Sequence, residues 1–200
     1  MVFKAVLFDL DGTLLDTLED LADSMNAALV NLGQQTHPID AYRFFIGDGM
    51  DKLVERVLPT TMRDAHTCAQ LKAGMEEEYS RRWNAKSRPY PGVPDLLSGL
   101  AQRAVPMVVL SNKPEPFTVK AVAELLPQWN FSIVRGARPN VPTKPDPTAA
   151  VEIATALGIA PANFLYLGDT NTDMQTAQGA GMYALGAAWG FRPGEELVQS

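Results

Sequence analysis

The chain has 200 residues, 46% of them hydrophobic and 20% charged, a balance that excludes a disordered or coiled-coil protein and suits one ordinary domain or a core with a smaller insertion. A net charge of −6 argues against nucleic acid or an anionic membrane as partner, because both need clustered Lys and Arg. The single Cys68 excludes an internal disulfide, no apolar run is long enough to span a bilayer, and Lys4 and Asp9 interrupt the N-terminal run, so a soluble, cytoplasmic protein without a secretory leader is expected.

Residues 3–13 begin as a short apolar run and end in two carboxylates, Asp9 and Asp11, followed by Gly12 and Thr13. Such a run reads as a strand buried on both faces, as in a parallel sheet. Its end is where open α/β folds bind ligands. Two like charges held that close imply a cation or a shared proton. Asp-Gly is also an ordinary turn pair, and an Asp behind a strand commonly caps a helix.

From Thr17 to Leu32, apolar residues recur at helical spacing, with Gly33 placed as a C-terminal cap. Further helices are expected near Ala41 to Phe45 behind Asp40, from Met50 to Leu58, and from Arg63 to Trp83, where Glu76-Glu77-Glu78 reads as a solvated face. No strand pattern lies between residues 16 and 88. After a Pro- and Gly-rich linker at 88–94 come, in order, a helix from Asp95 to Arg103, a strand from Val105 to Leu110, and a helix from Phe117 to Leu126. A strand from Phe131 to Val134, a helix from Thr148 to Leu157, a strand from Phe164 to Leu167, a helix from Met174 to Ala180 and a strand from Met182 to Leu185 complete the pattern. The reading is a Rossmann-like parallel α/β core made of residues 1–15 and 89–200, with residues 16–88 inserted as an α-helical cap.

Three more polar clusters close strands or open helices. Ser111-Asn112-Lys113-Pro114 follows the strand ending at Leu110 and would offer a hydroxyl and backbone N–H groups to an anion, or would merely cap the next helix. Pro142-Thr143-Lys144-Pro145-Asp146-Pro147 holds Lys144 in a stiff loop, with Asp146 and Pro147 suited to the N-cap and N1 positions behind it. Gly168-Asp169-Thr170-Asn171-Thr172-Asp173 spaces two acids by one helical turn, though turn and cap chemistry also uses these residue types. Gathered at one spot, Asp9, Asp11, Asp169 and Asp173 with Lys144 carry three net negative charges, which calls for a divalent cation. With only oxygen ligands that ion is hard, Mg²⁺ being the expected choice, and the chemistry is that of phosphoryl transfer.

In order and spacing, Asp9 to Thr13, Ser111, Lys144 and Gly168 to Asp173 resemble the haloacid dehalogenase superfamily, and within it the phosphatases with a helical cap. The likeness is nearest to phosphoglycolate phosphatases, through Asp11 to Thr17, Ile46-Gly47-Asp48-Gly49-Met50 and Ser111-Asn112-Lys113. The resemblance implies Asp9 as nucleophile and Asp11 as general acid and base. It implies Mg²⁺ held by the Asp9 carboxylate, the Asp11 carbonyl and Asp169, with Asp173 in support. Ser111 and Lys144 would bind the phosphoryl group, Lys144 also steadying Asp9, and Gly12, Thr13, Asn112, Gly47, Asp48 and Gly49 complete the expected substrate contacts. Specificity would come from the cap turn at Ile46 to Met50, closing over a small phosphorylated metabolite in a monomer or homodimer. The family pattern continues past Ala187 to Gly190 with a short strand and a helix, whereas this chain stops at Ser200, so a trimmed or differently packed C-terminal edge is expected.

The second acid, Asp11, sets the chain apart from halide-displacing members, whose leaving group needs no proton. A Schiff-base phosphonatase would need a cap lysine, and Lys52 reads better as a surface residue. A sugar-phosphate mutase shares the core residues and is the alternative reading. A non-catalytic phospho-ligand binder would be missing an acid or the lysine, and none is missing.

Overall fold

The computed structural model describes residues 3–199 and divides the chain into two compact units, one running through Asp16 and again from Pro89 onward, the other Thr17–Arg88. In chain order the helices are α1 (Leu18–Asn31), α2 (Tyr42–Phe45), α3 (Met50–Val57), α4 (Ala65–Arg82), α5 (Val93–Gln102), α6 (Glu115–Leu125), α7 (Thr148–Leu157), α8 (Asn171–Gly179) and α9 (Gly194–Val198). The main sheet contains β1 (Ala5–Phe8), β2 (Met107–Pro114), β3 (Ile133–Ala137), β4 (Phe164–Gly168) and β5 (Tyr183–Gly186).

The first unit is a parallel sheet in the order β3-β2-β1-β4-β5, with every neighbouring pair parallel. All four β1 residues are buried, which is why the run is apolar without alternation: helices cover both faces. Phe8 sits opposite Val109 on one side and Leu167 on the other. Ala5, Leu7, Val108, Leu110, Phe164 and Tyr166 pack with Ala150, Ile153 and Ala177 from α7 and α8 into one core. Strand order changes direction on either side of β1, so the ends of β1, β2 and β4 border the crevice where doubly wound sheets bind ligands.

Several boundaries move. The strand expected to end at Leu110 continues through Ser111, Asn112 and Lys113, and after a register irregularity Pro114 sits opposite Ala137. Its polar residues tolerate burial because each has a partner, and the helix behind it begins only at Glu115. That removes Ser111 and Asn112 from a helix entrance. Helix α5 starts at Val93 and takes Pro94 into its first turn, where a missing N–H does no harm. Before α7, Pro147 occupies the N-cap position and the Asp146 carboxylate accepts from Thr148 N–H at 2.9 Å. Helix α8 starts at Asn171, three residues early, because Thr170 and Asp173 cap it reciprocally. The sequence reading did not anticipate α9.

The second unit is helical. Leu21, Met25 and Leu29 of α1 and Leu71, Met75 and Tyr79 of α4 are buried where these two helices pack. The buried Asp20 carboxylate accepts from Lys86 N–H at 3.0 Å, Ser87 N–H at 2.8 Å and Ser87 Oγ–H at 2.7 Å, pinning the start of α1 to the chain beyond α4. Asp64 caps α4 through bonds from His66 and Thr67 N–H, each 3.0 Å. Asp40 caps nothing and instead faces Arg43 at 3.5 Å. Of the Glu76-Glu77-Glu78 run, Glu78 is buried rather than solvated, paired with Arg81 and Arg82. Lys52 lies on the surface, 2.7 Å from Glu55. Among the described residues no helix is long and apolar enough to cross a membrane.

Candidate active site

Asp9 is the first residue past β1, and its N–H donates to the Leu167 carbonyl at 2.9 Å, which fixes the tip of β1 against β4. Asp169 is the first residue past β4, and Asp173 lies in the first turn of α8. One carboxylate oxygen from each of the three lies within 4.8 Å of the others, and all three residues are buried.

Lys144 enters this cluster from the loop before α7. Its ammonium lies 2.8 Å from Asp9 Oδ1 and 2.6 Å from Asp173 Oδ1, and donates to the Leu110 carbonyl at 3.3 Å. Asn112 holds the loop: its Nδ2 donates to the Lys144 carbonyl at 3.0 Å and its Oδ1 accepts from Lys144 N–H at 2.8 Å. The Asn112 amide thereby positions Lys144 through its backbone.

Asp173 is fully engaged. Oδ2 accepts from Thr170 N–H at 3.1 Å and Thr170 Oγ–H at 2.7 Å, while Oδ1 receives the Lys144 ammonium and the Tyr166 hydroxyl, the latter at 3.3 Å. Asp169 is held by neutral donors, Thr13 Oγ–H on Oδ1 at 3.0 Å and Phe191 N–H on Oδ2 at 2.7 Å. Two glycines make room for it. A Cβ at Gly12, where φ is +90°, would lie 2.2 Å from Asp169 Oδ2, and one at Gly190 would lie 2.2 Å from Asp169 Cβ. Gly12 and Thr13 thus shape the Asp169 seat.

Asp11 stands apart from the other three carboxylates. Its oxygens receive the Lys113 ammonium at 2.8 and 2.9 Å, a pair in which the Asp11 side chain is 11% exposed and the lysine 4%. The buried Ser111 hydroxyl oxygen accepts from Lys113 N–H at 3.2 Å. Gly47, Asp48 and Gly49 belong to the helical unit, where Gly49 is the N-cap of α3 and Asp48 pairs with Arg56. Asp9, Lys144, Asp169 and Asp173 are brought together, with Asp11 adjoining through its own lysine.

Burial, then the charge of Asp173, pushes the Asp9 carboxyl up to about 7 against the opposing pull of Lys144. Burial, then Asp9, holds the Asp169 carboxyl well above the usual carboxylate range. Burial disfavours the Lys144 ammonium, yet Asp173 and Asp9 outweigh it and keep that group well above its ordinary value. With Lys113 included and every acid ionised, four carboxylates would face two ammonium groups, leaving two negative charges rather than the three expected from the sequence, an excess that the raised Asp9 and Asp169 carboxyls relieve by holding protons. A divalent cation would neutralise the same excess. Asp9 Oδ1 is buried with the Lys144 ammonium at 2.8 Å and lacks a full set of hydrogen-bond donors, which suits it to share such an ion. The all-oxygen donor set suits a hard metal.

Sequence reading assigned no role to Lys113, Tyr166, Thr170, Gly190 or Phe191. Lys113 was visible within the strand-end cluster and Thr170 as a capping pattern with Asp173. Phe191 acts through its backbone, which no side chain announces. Trp189 joins this loop to the first motif by donating its Nε1–H to the Thr13 carbonyl at 3.0 Å.

The haloacid dehalogenase-like hydrolase family model matches residues 6–187. A phosphoglycolate phosphatase from Psychrobacter arcticus is 32% identical over 204 aligned positions, spanning 98% of this chain and 88% of its relative. One from Nitrosospira multiformis is also 32% identical, over 98% and 88% of the two chains. Among solved structures, a candidate phosphoglycolate phosphatase from Lactobacillus delbrueckii subsp. bulgaricus superposes with a TM-score of 0.91 at 28% identity, covering 100% of this chain and 92% of the other.

Proposed function

The chain belongs to the haloacid dehalogenase-like hydrolase family, and on that premise we propose that it is a Mg²⁺-dependent phosphatase acting on a small phosphorylated metabolite, 2-phosphoglycolate foremost, through an aspartyl phosphate at Asp9. The observation that carries this reading is the unlike surroundings of the two carboxylates of the first motif. Asp9 sits in the buried cluster against Lys144, while Asp11 is paired separately with Lys113. Carboxylates in unlike surroundings can take unlike roles.

In this reading Asp9 attacks phosphorus as the bond to the ester oxygen breaks, and Asp11 gives that oxygen a proton. Asp11 then takes a proton from the water that attacks phosphorus, which releases phosphate and restores the Asp9 carboxylate. Acid and base assistance of this kind is worth about 10²- to 10⁴-fold. Lys144 and the Ser111 hydroxyl bind the phosphoryl oxygens, and Asp173, held by Thr170 and Tyr166, keeps Lys144 aimed. Mg²⁺ held by the Asp9 carboxylate, the Asp11 carbonyl and Asp169 would supply charge neutralisation at the transferring group. The relatives' names supply the substrate.

Hydrolysis of 2-phosphoglycolate and of p-nitrophenyl phosphate, followed as phosphate release with Mg²⁺ and with EDTA, tests the reading. Activity is expected only with the metal and only with Asp9 intact. Turnover that survives EDTA or Asp9→Asn refutes it, and an isomerised product without free phosphate would indicate a mutase.

A further inference from the structure

The paired lysine of Asp11 has no task in the reaction as written. Asp169 is held by a hydroxyl and a backbone N–H, and Asp173 by Thr170, Tyr166 and the ammonium that serves phosphate. Orienting a carboxylate here therefore requires no dedicated charge. Asp11 nonetheless receives a full ammonium on both oxygens, from a lysine side chain only 4% exposed. A lysine is seldom buried without a partner, and truncating one side of such a pair leaves an uncompensated charge.

If Asp11 serves the ester oxygen as proposed above, the leaving alcohol rests against it. The first substituent of that alcohol is then close to the same ammonium. Ser111 and Lys113 stand two apart near the end of β2 and are tied together by the bond from Lys113 N–H to Ser111 Oγ at 3.2 Å, while the Asn112 amide holds the Lys144 loop. Ser111 would meet the phosphoryl group and Lys113 what lies beyond it. When Asp11 engages the ester oxygen its hold on Lys113 loosens, and a second anion on the substrate supplies the missing countercharge.

We infer that Lys113 is a specificity-determining residue, selecting phosphate esters whose leaving alcohol carries a carboxylate on the carbon bonded to the ester oxygen. The inference rests on the phosphatase reading and names the part of the substrate that this lysine recognises.

The test compares 2-phosphoglycolate with 2-hydroxyethyl phosphate, in which a hydroxymethyl group replaces the carboxylate. The wild-type kcat/KM ratio should favour the carboxylate by at least tenfold. In Lys113→Gln that ratio should fall at least tenfold, and Lys113→Arg should keep most of it. A lysine that only positions Asp11 would lower both substrates alike, and that result overturns the inference. So does a wild-type ratio near one, which stands as a test even where the glutamine variant fails to fold. Hydrolysis of p-nitrophenyl phosphate separates the failures: activity there without discrimination overturns the lysine's role alone, whereas no activity on any ester overturns the phosphatase reading with it.

Discussion

Thr13 contributes one hydroxyl to the site, and its hydrogen bond to Asp169 at 3.0 Å is half of what holds that carboxylate. The other half is the Phe191 N–H, arriving from a loop that passes Asp169 closely only because residue 190 is glycine. Partners that orient a metal-binding group without touching the metal typically matter 10- to 100-fold in affinity. Thr13→Val should accordingly raise the Mg²⁺ concentration for half-maximal activity by about 10- to 100-fold while leaving kcat at saturating metal much closer to wild type. Titration of activity with Mg²⁺ measures both, and an unchanged half-saturation point would show that Asp169 needs no such support. At this scale the sequence was only partly legible. Asp9, Asp169 and Lys144 stand out because acids at strand ends and a lysine in a proline-flanked loop have few bland explanations once combined. The pairing of Lys113 with Asp11, across 102 positions, left no local trace.

Among the elements, the buried ends were harder to read than the middles. Continuous apolar runs announced β1 and β4 because parallel strands are covered on both faces. The end of β2 was misplaced because polarity normally signals a chain leaving the core, and here Asn112 is satisfied by the Lys144 peptide instead. In α8 the same acid that completes the helix cap also carries the lysine, so one residue fixes both a helix start and a charge. The helical unit has its own anchor in Asp20, whose carboxylate collects donors from Lys86 and Ser87. Hydrogen bonds to a charged group contribute about 1.5–3 kcal/mol, and the donors left behind lose their partner as well. Asp20→Ala should therefore destabilise the protein by about 2–3 kcal/mol in urea denaturation. A change below 0.5 kcal/mol, roughly that of an ordinary surface substitution, would mean that water replaces the carboxylate at no loss.

For the whole molecule, the site is a reservoir of strain in charge. The ordinary Asp carboxyl titrates near 3.9, whereas burial and then Asp173 push Asp9 up to about 7. Between those values the folded chain binds a proton that the unfolded chain does not. Stability without metal should thus fall as pH rises from about 4 to 7, the direction set by the excess protons on the folded side. On the proposed reading Mg²⁺ would take the place of those protons, so it should raise the melting temperature more at pH 8 than at pH 5.5. At a hundredfold excess over Kd the rise at pH 8 should be about 5–10 °C for a chain of this size. Thermal melts at the two pH values, each with Mg²⁺ and with EDTA, show the difference; equal shifts at both would place the metal elsewhere.

The most direct measurement follows the phosphoryl group itself. Wild-type protein mixed with a substoichiometric ³²P-labelled ester and Mg²⁺, quenched in acid within the first turnover and digested, should carry label on the peptide containing Asp9. Asp11→Asn should retain that label longer, since water then lacks its base, and Asp9→Asn should carry none. Phosphate released by wild type with no label on the protein at any time, or with label on a peptide lacking Asp9, would contradict a covalent route through this carboxylate.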